Sequence, residues 1–192
     1  MPGGGNVVAN DAIAGLLLLA RAFPQRLRAQ REHRWLQLRR EQAPADVEGQ
    51  TVLIIGVGAV GAVVARFAQA MKMHVIGVRR SPCLPGEPVD EMHAPAKLEE
   101  LLPRAQWVVL ACPHGAQTHH LLDARRLALL PRGAGVINVS HAGLLGEAAL
   151  IAALNSGGIG GVYLAAFGPQ MPAADSPLRA HPNVMFPPAA AI

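Results

Sequence analysis

The sequence predicts a doubly wound α/β domain, a parallel sheet with helices on both faces, preceded by two helices. Three observations predict it. From residue 51 onward, short apolar segments alternate with longer segments of helical periodicity. The short segments are apolar at consecutive positions, which is typical of parallel strands buried on both faces. A glycine-rich turn joins the first of these strands to a helix, as α/β domains require.

Two helices are expected before the sheet. Apolar residues recur at helical spacing over residues 11–21, and Pro24 interrupts the pattern. A second helix is expected over residues 25–39, and residues 41–50 form a polar linker.

The alternation of strands and helices then continues to the end of the chain. A proline-rich loop separates the second strand from the next short helix. The predicted strands are 51–55, 74–78, 107–111, 135–139, 161–166 and 183–186, the loop is 81–95, and the later helices are 98–102, 119–130 and 147–155.

Composition restricts the class of protein. The 192 residues suit one domain, and its core must be aliphatic because aromatic residues make up only 4%. The apolar run at 12–20 is nine residues long, too short to span a bilayer, and no basic residue precedes it as in a signal peptide. Cys83 and Cys112 lack a pairing or metal pattern. We therefore expect a cytoplasmic protein without a metal or a membrane partner.

Positive charge is concentrated near the N-terminus. Net charge is +4, and seven of the 17 basic residues lie within residues 21–40. This stretch has no recognised nucleic-acid motif, and Phe23 and Trp35 are its only aromatic residues. A solvated or interfacial basic helix is therefore favoured over nucleic-acid binding.

The glycine-rich turn matches the pattern G-x-G-x-x-G between a predicted strand and a predicted helix. Gly56 permits the tight turn, Gly58 allows a pyrophosphate to approach, and Gly61 lets helix and strand pack closely. The backbone N–H groups of Ala59 and Val60 would face the anion at the helix N-terminus. The motif predicts a Rossmann-type NAD(P)-binding domain, and the alternative is an ordinary glycine-rich turn.

The end of the second strand indicates which dinucleotide binds. Arg79, Arg80 and Ser81 follow the strand, where an NAD-binding domain places an acidic residue for the ribose 2′-OH. Arginine makes bidentate, charge-assisted bonds to phosphate oxygens. We therefore predict that NADP is preferred over NAD; the alternative is a solvated arginine pair.

Beyond the glycine motif, the chain resembles the cofactor-binding domain of the D-isomer-specific 2-hydroxyacid dehydrogenases. The resemblance covers nearly the whole chain, and that family reduces 2-oxo acids by hydride transfer from a nicotinamide. The matching segments are VANDAIAGLLLLAR at 8–21, CPHGAQTHHLLD at 112–123, GVINVSHAGLLGEAALIAAL at 135–154, GGVYLAAFGP at 160–169 and DSPLRAHPNV at 175–184.

The resemblance also implies where the catalytic groups should lie. The family's arginine, glutamate and histidine correspond to His141, Gly168 and Ala189, and an aspartate near the nicotinamide corresponds to Ala165. All four expected groups are replaced. A histidine cannot offer a carboxylate the bidentate fork of an arginine, so catalysis should be impaired. His114, His119 and His120 are interpreted as solvated histidines at a helix start.

The resemblance implies further cofactor contacts and a homodimer. Cys112 and Pro113 would lie against the nucleotide, and Val139, Ser140 and His141 would lie near the nicotinamide ribose. The family dimerises through helices that correspond to residues 10–39, and the alternative is that these helices pack only on their own sheet. We therefore expect a dimerisation arm at 1–45 and a dinucleotide-binding domain at 46–192, with the family's substrate domain absent.

Three functions remain open at this point. The chain is an NADP-dependent dehydrogenase or 2-oxo-acid reductase, a non-catalytic NADP-binding dimeric scaffold or sensor, or a truncated relic. The replaced catalytic groups argue against the first, because losing groups that act together costs orders of magnitude in rate.

Overall fold

The fold is a seven-stranded parallel sheet with helices on both faces. The computed structural model describes residues 4–36, 46–165, 172–173 and 175–187. The strand order is β3-β2-β1-β4-β5-β6-β7. Strands β1 to β3 are added in one direction across the sheet, and β4 to β7 are added in the other, so the order of strands reverses between β1 and β4. The strands are β1 Thr51–Ile55, β2 His74–Val78, β3 Glu91–His93, β4 Trp107–Leu110, β5 Ala134–Asn138, β6 Ile159–Leu164 and β7 Val184–Met185.

Seven α-helices accompany these strands within the described residues. Short 3₁₀ turns flank α4, and another precedes α6. The predicted doubly wound fold is therefore confirmed. The helices are α1 Gly4–Ala20, α2 Phe23–Arg31, α3 Ala59–Ala70, α4 Leu98–Leu101, α5 Ala124–Leu127, α6 Glu147–Asn155 and α7 Pro177–Ala180.

The core lies on both faces of the sheet, which explains the continuous apolar strands. Consecutive residues of β1 point to opposite faces, so Leu53 and Ile55 enter one cluster while Val52 and Ile54 enter the other. The first cluster includes apolar residues of α4, α5 and α6. The second includes those of α1 and α3.

Helix α1 packs directly on the sheet. Leu16 is fully buried, and a Cβ at Gly15 would lie 2.3 Å from the Tyr163 ring on β6. The described part of the predicted arm is thus attached to the dinucleotide-binding domain, and its role in dimerisation stays a prediction. No single described helix is long and apolar enough to cross a membrane. Helices α1 and α2 meet that criterion only together, across a 67° bend.

Two predicted helices differ from the structure. Helix α2 includes Pro24 in its first turn, where a missing N–H costs nothing, and it ends at Arg31 instead of continuing through the described residues to 36. The helix expected over 119–130 is reduced to α5. Leu122 donates its N–H to the Leu144 carbonyl, which keeps the preceding chain out of a helix.

Strand β3 was not predicted, because it lies within the expected proline-rich loop and two of its three residues are polar. Met92 packs against the second core cluster, and Glu91 joins the strand to its surroundings through charge. The Glu91 carboxylate receives hydrogen bonds from His74 Nε2 at 2.8 Å and from His93 Nε2 at 2.9 Å. Arg104 binds both oxygens of the same carboxylate. These partners, Arg104 first, hold the pKa of Glu91 well below its ordinary value.

Glu91→Gln should destabilise the domain in a pH-dependent way. Because the pKa of Glu91 is depressed in the folded state, its stabilisation is present above the ordinary glutamate pKa of 4.5 and declines as pH falls below it. Charge-assisted hydrogen bonds at this partly exposed site are worth about 1–2 kcal/mol. Denaturant unfolding should show that loss at pH 7 and a smaller one at acidic pH. Glu48→Gln, which removes an exposed single pair with Lys72, is the control; equal stability of the two variants would contradict the prediction.

Candidate dinucleotide-binding site

A large cavity opens at the carboxyl ends of β1, β2 and β4, beside the reversal of strand order. Its volume is about 960 Å³, within the range of ligand sites and in the usual position for doubly wound sheets. Nine of the residues predicted to bind the cofactor line it: Gly56, Gly58, Ala59, Val60, Arg79, Arg80, Ser81, Cys112 and Pro113.

The glycine turn fits the three roles that the motif assigns. Gly56 has a φ of +101°, and a Cβ there would lie 2.5 Å from the backbone nitrogen of Cys112. Gly61 is buried in α3, and its Cβ would lie 2.1 Å from the carbonyl oxygen of Gly56. Among the described residues no atom lies within 4 Å of a Cβ at Gly58, so the backbone there is open to a ligand.

Helix α3 begins directly at this opening. It starts at Ala59, and Gly58 at its N-cap supplies no side-chain hydrogen bond. The first N–H groups of a helix lack intrahelical acceptors. Those of Ala59 and Val60 therefore remain available to an anion, as the sequence predicted.

Arg79 lines the cavity, but protein acceptors already engage its guanidinium. Both terminal nitrogens bind the Glu87 carboxylate, and the Nη2 to Oε2 distance is 2.7 Å. Nε donates to the Ser81 carbonyl at 3.1 Å, Nη1 to the Val57 carbonyl at 3.2 Å, and Nη2 to the Pro82 carbonyl. These five bonds equal the number of N–H donors that a guanidinium has.

Arg80 and Ser81 are differently placed. Both are exposed at the cavity wall, and within the described part of the chain the Arg80 side chain makes no hydrogen bond or ion pair. The two residues can therefore meet a ligand without first breaking a side-chain contact.

The opposite wall joins two loops. Ser140 Oγ donates to the Cys112 carbonyl at 2.5 Å, and the N–H of Val139 donates to the Leu110 carbonyl at 3.1 Å. Cys112 is buried, and burial raises the pKa of its thiol. Val139, Ser140 and His141 do not line the cavity itself but hold this wall in place.

Asn138 shapes the same loop, and sequence analysis did not identify it. It is fully buried; its Nδ2 donates to the His141 carbonyl at 2.8 Å and its Oδ1 accepts the Ser140 N–H at 3.1 Å. A polar residue at the end of an otherwise apolar predicted strand was the available signal, because buried amides need partners.

Four histidines meet beside this wall. The rings of His114 and His141 stack with centroids 4.2 Å apart, and those of His119 and His120 stack at 3.9 Å. His114 Nε2 lies 3.3 Å from His119 Nδ1. Partial desolvation and then the nearby imidazoles, His141 first, lower the pKa of His114. No group of three potential ligands within the described residues could hold a metal ion.

The interpretation of three of these histidines as residues at a helix start was wrong. Helix α5 begins only at Ala124, and Asp123 caps it by accepting the N–H of Arg126. His119 and His120 lie in the turns before it, and the loop after β5 brings His141 against His114. The three are exposed, as expected.

Comparison with known proteins agrees with this geometry. The family model for the D-isomer specific 2-hydroxyacid dehydrogenase NAD-binding domain matches residues 13–191. The chain belongs to the D-isomer specific 2-hydroxyacid dehydrogenase family. The predicted resemblance is thereby confirmed.

Individual relatives include enzymes and one cofactor complex. D-3-phosphoglycerate dehydrogenase of Synechocystis sp. is 31% identical over 96% of this chain and 33% of its own length. Glyoxylate reductase of Pyrococcus horikoshii is 36% identical over 64% of this chain and 36% of its own. A D-isomer specific 2-hydroxyacid dehydrogenase of Xanthobacter autotrophicus Py2, solved with NADPH and MES, has a TM-score of 0.86 and 35% identity over 98% of this chain and 76% of that one. The chain spans about a third of the length of these two curated relatives.

Of the four positions that the resemblance implies are substituted, two lie within the described residues. His141 Nδ1 accepts the N–H of Gly143 at 3.0 Å, which leaves a neutral His141 with its proton on Nε2. Ala165 follows β6 and donates its N–H to the Asn138 carbonyl at 2.9 Å. Gly168 and Ala189 lie outside the described residues.

Glu87→Gln should make the Cys83 thiol react faster with a disulfide reagent. Partial desolvation raises the pKa of the exposed Cys83 thiol, and the neighbouring Glu87 carboxylate raises it further. Removing that negative charge should increase the thiolate fraction and the reaction rate by a few-fold near pH 8. Stopped-flow measurement with an aromatic disulfide tests this. Cys83→Ser identifies the signal, since Cys112 is buried; an unchanged or lower rate would contradict it.

Proposed function

We propose that this cofactor domain binds NADP in preference to NAD. The single observation that carries the proposal is the pair Arg80 and Ser81, exposed at the wall of a cavity whose other end is the open glycine turn. A pyrophosphate at the N-terminus of α3 would direct the adenosine ribose towards the end of β2. There a guanidinium and a hydroxyl suit a 2′-phosphate.

The family relationship supports the same cofactor class. The Xanthobacter autotrophicus relative, 35% identical to this chain, was solved with NADPH. In addition, Glu87, the first carboxylate after β2 in the sequence, is bound to Arg79 and does not line the cavity. It is therefore not placed to accept a hydrogen bond from the 2′-OH of NAD, as the acidic residue of an NAD site does.

We further propose that this chain is catalytically impaired. A bound nicotinamide would supply or accept the hydride, while protein groups must bind the 2-oxo acid and transfer a proton. His141 stands where the family resemblance places an arginine, and only its Nε2–H remains free to donate. One donor cannot replace a bidentate guanidinium fork on a carboxylate.

A non-catalytic dimeric scaffold or sensor is the second candidate. Leu17, Phe23 and Trp35 expose apolar surface on and after α1 and α2, and Trp35 is 90% exposed. An isologous contact between two copies would cover such a surface. We propose a homodimer through these helices, which a measurement of the molar mass of the protein in solution tests.

Cytoplasmic location likewise remains a proposal, based on two free cysteines.

Arg80→Ala should weaken NADPH binding about tenfold and leave NADH binding within twofold, because only NADPH carries the 2′-phosphate. Isothermal titration calorimetry of both dinucleotides measures this. Arg66→Ala removes the same charge from the exposed face of α3, outside the cavity, and should change neither affinity. Equal losses for NADPH and NADH in Arg80→Ala would contradict the NADP preference.

The chain should bind NADPH without oxidising it in the presence of glyoxylate, hydroxypyruvate or pyruvate. Following absorbance at the nicotinamide band, with His141→Ala as the reference variant, measures turnover. The expected rates are indistinguishable, because the acid–base groups that the family resemblance implies are replaced. Saturable turnover above the His141→Ala rate would refute the proposed impairment.

A further inference from the structure

We propose that Glu87 is a built-in anion that occupies the fork of Arg79 and must yield it when a dinucleotide 2′-phosphate binds. Glu87 would thus be a specificity-determining residue that weakens NADPH binding. The inference rests on the proposed preference for NADP and adds a residue that opposes it.

The contacts around the Glu87 carboxylate resemble those of a bound anion. Both terminal nitrogens of Arg79 donate to it, one to each oxygen. The N–H of Leu84 donates to Oε2 at 2.8 Å. A guanidinium fork and a backbone N–H are donors that also bind phosphate oxygens. The site is therefore built for an oxyanion and currently holds a carboxylate of this chain.

Burial makes this pair more than an incidental surface contact. The side chains of Arg79 and Glu87 are 15% and 18% exposed, so solvent screens their attraction less than it screens exposed pairs. Hydrogen bonds from Arg79 and then from Leu84 lower the pKa of Glu87, which keeps the carboxylate ionised. The Arg79 side chain cannot bind a second anion without giving up an acceptor it already has.

The loop that carries Glu87 can release it without disturbing the core. Residues 81–86 are exposed, and the loop closes on itself through the Glu87 N–H to Leu84 carbonyl bond of 3.2 Å. Arg79 lines the cofactor cavity, whereas Glu87 does not. A 2′-phosphate entering from the cavity would therefore approach the Arg79 guanidinium from the side opposite the loop that carries Glu87.

The exchange affects the two dinucleotides differently. NADH has no 2′-phosphate, so it leaves the Arg79–Glu87 pair intact. NADPH meets Arg80 and Ser81 directly but gains the Arg79 fork only by replacing one anion with another. Glu87 therefore lowers the affinity for NADPH and leaves that for NADH unchanged.

Dissociation constants for NADPH, NADH, 2′,5′-ADP and 5′-AMP test the inference on the whole chain. Glu87→Gln keeps the side-chain shape but removes the charge. It should tighten NADPH and 2′,5′-ADP about tenfold and leave NADH and 5′-AMP within twofold. Adding Arg79→Ala to this variant should abolish the gain, because the freed fork is its source.

Glu91→Gln is the matched control, since it also removes a carboxylate that binds an arginine through both oxygens, away from the cavity. It should leave all four dissociation constants unchanged. Circular dichroism melting checks that each variant is folded, and Glu87→Ala repeats the test if the glutamine variant is not.

The outcomes separate this inference from the proposed function. If the wild-type chain prefers NADPH and Glu87→Gln weakens it or leaves the preference unchanged, the role of Glu87 is wrong while the preference stands. If neither the wild type nor Glu87→Gln favours NADPH, both the proposed preference and this inference fail. A gain that persists after Arg79→Ala also overturns the inference, because it would come from another group.

Discussion

The close approach of three backbone segments at Gly56 determines the rest of this domain. The turn after β1 lies against the backbone at Cys112, and α3 lies against the turn at Gly61. A Cβ at either glycine would overlap backbone atoms, which cannot move aside as a side chain can. This packing places the ends of β1 and β4 side by side, and the N-terminus of α3 points to the space beside them. The cavity exists because the backbone can come this close.

Ion pairs supplement apolar packing at the edge of the sheet. Strand β3 is short, and in addition to the packing of Met92 the Glu91 carboxylate joins it to β2 and to Arg104. Arg79 is held in the same manner by Glu87 at the end of β2. The two clusters use the same chemistry with different consequences. The first only strengthens the sheet edge, whereas the second lies at the cavity wall and competes with a ligand for the arginine.

The two ends of the cofactor region differ in what they can do. At the end proposed for the adenosine ribose, Arg80 and Ser81 are exposed groups suited to a phosphate. At the end proposed for the nicotinamide, Asn138 and Ser140 hold the loop in place, and His141 Nδ1 accepts the N–H of Gly143. The described residues therefore supply several groups that can bind a dinucleotide and few that can transfer a proton or bind a carboxylate. This asymmetry is what supports the proposed catalytic impairment.

The sequence by itself determined the approximate positions of six of the seven described strands, the glycine turn and the sheet class, because burial periodicity and turn chemistry are local properties of the chain. It also predicted Arg79 at the binding site, and the structure has Arg79 at the cavity wall. Only the tertiary structure decided that Glu87 takes up the Arg79 fork, that β3 exists, and that His114 stacks on His141. These features depend on which loops meet across the ends of the strands. The residues in these contacts are separated in the sequence by distances that no periodic pattern predicts. The contacts are stabilised by charge and by ring stacking, which form only after the sheet is assembled.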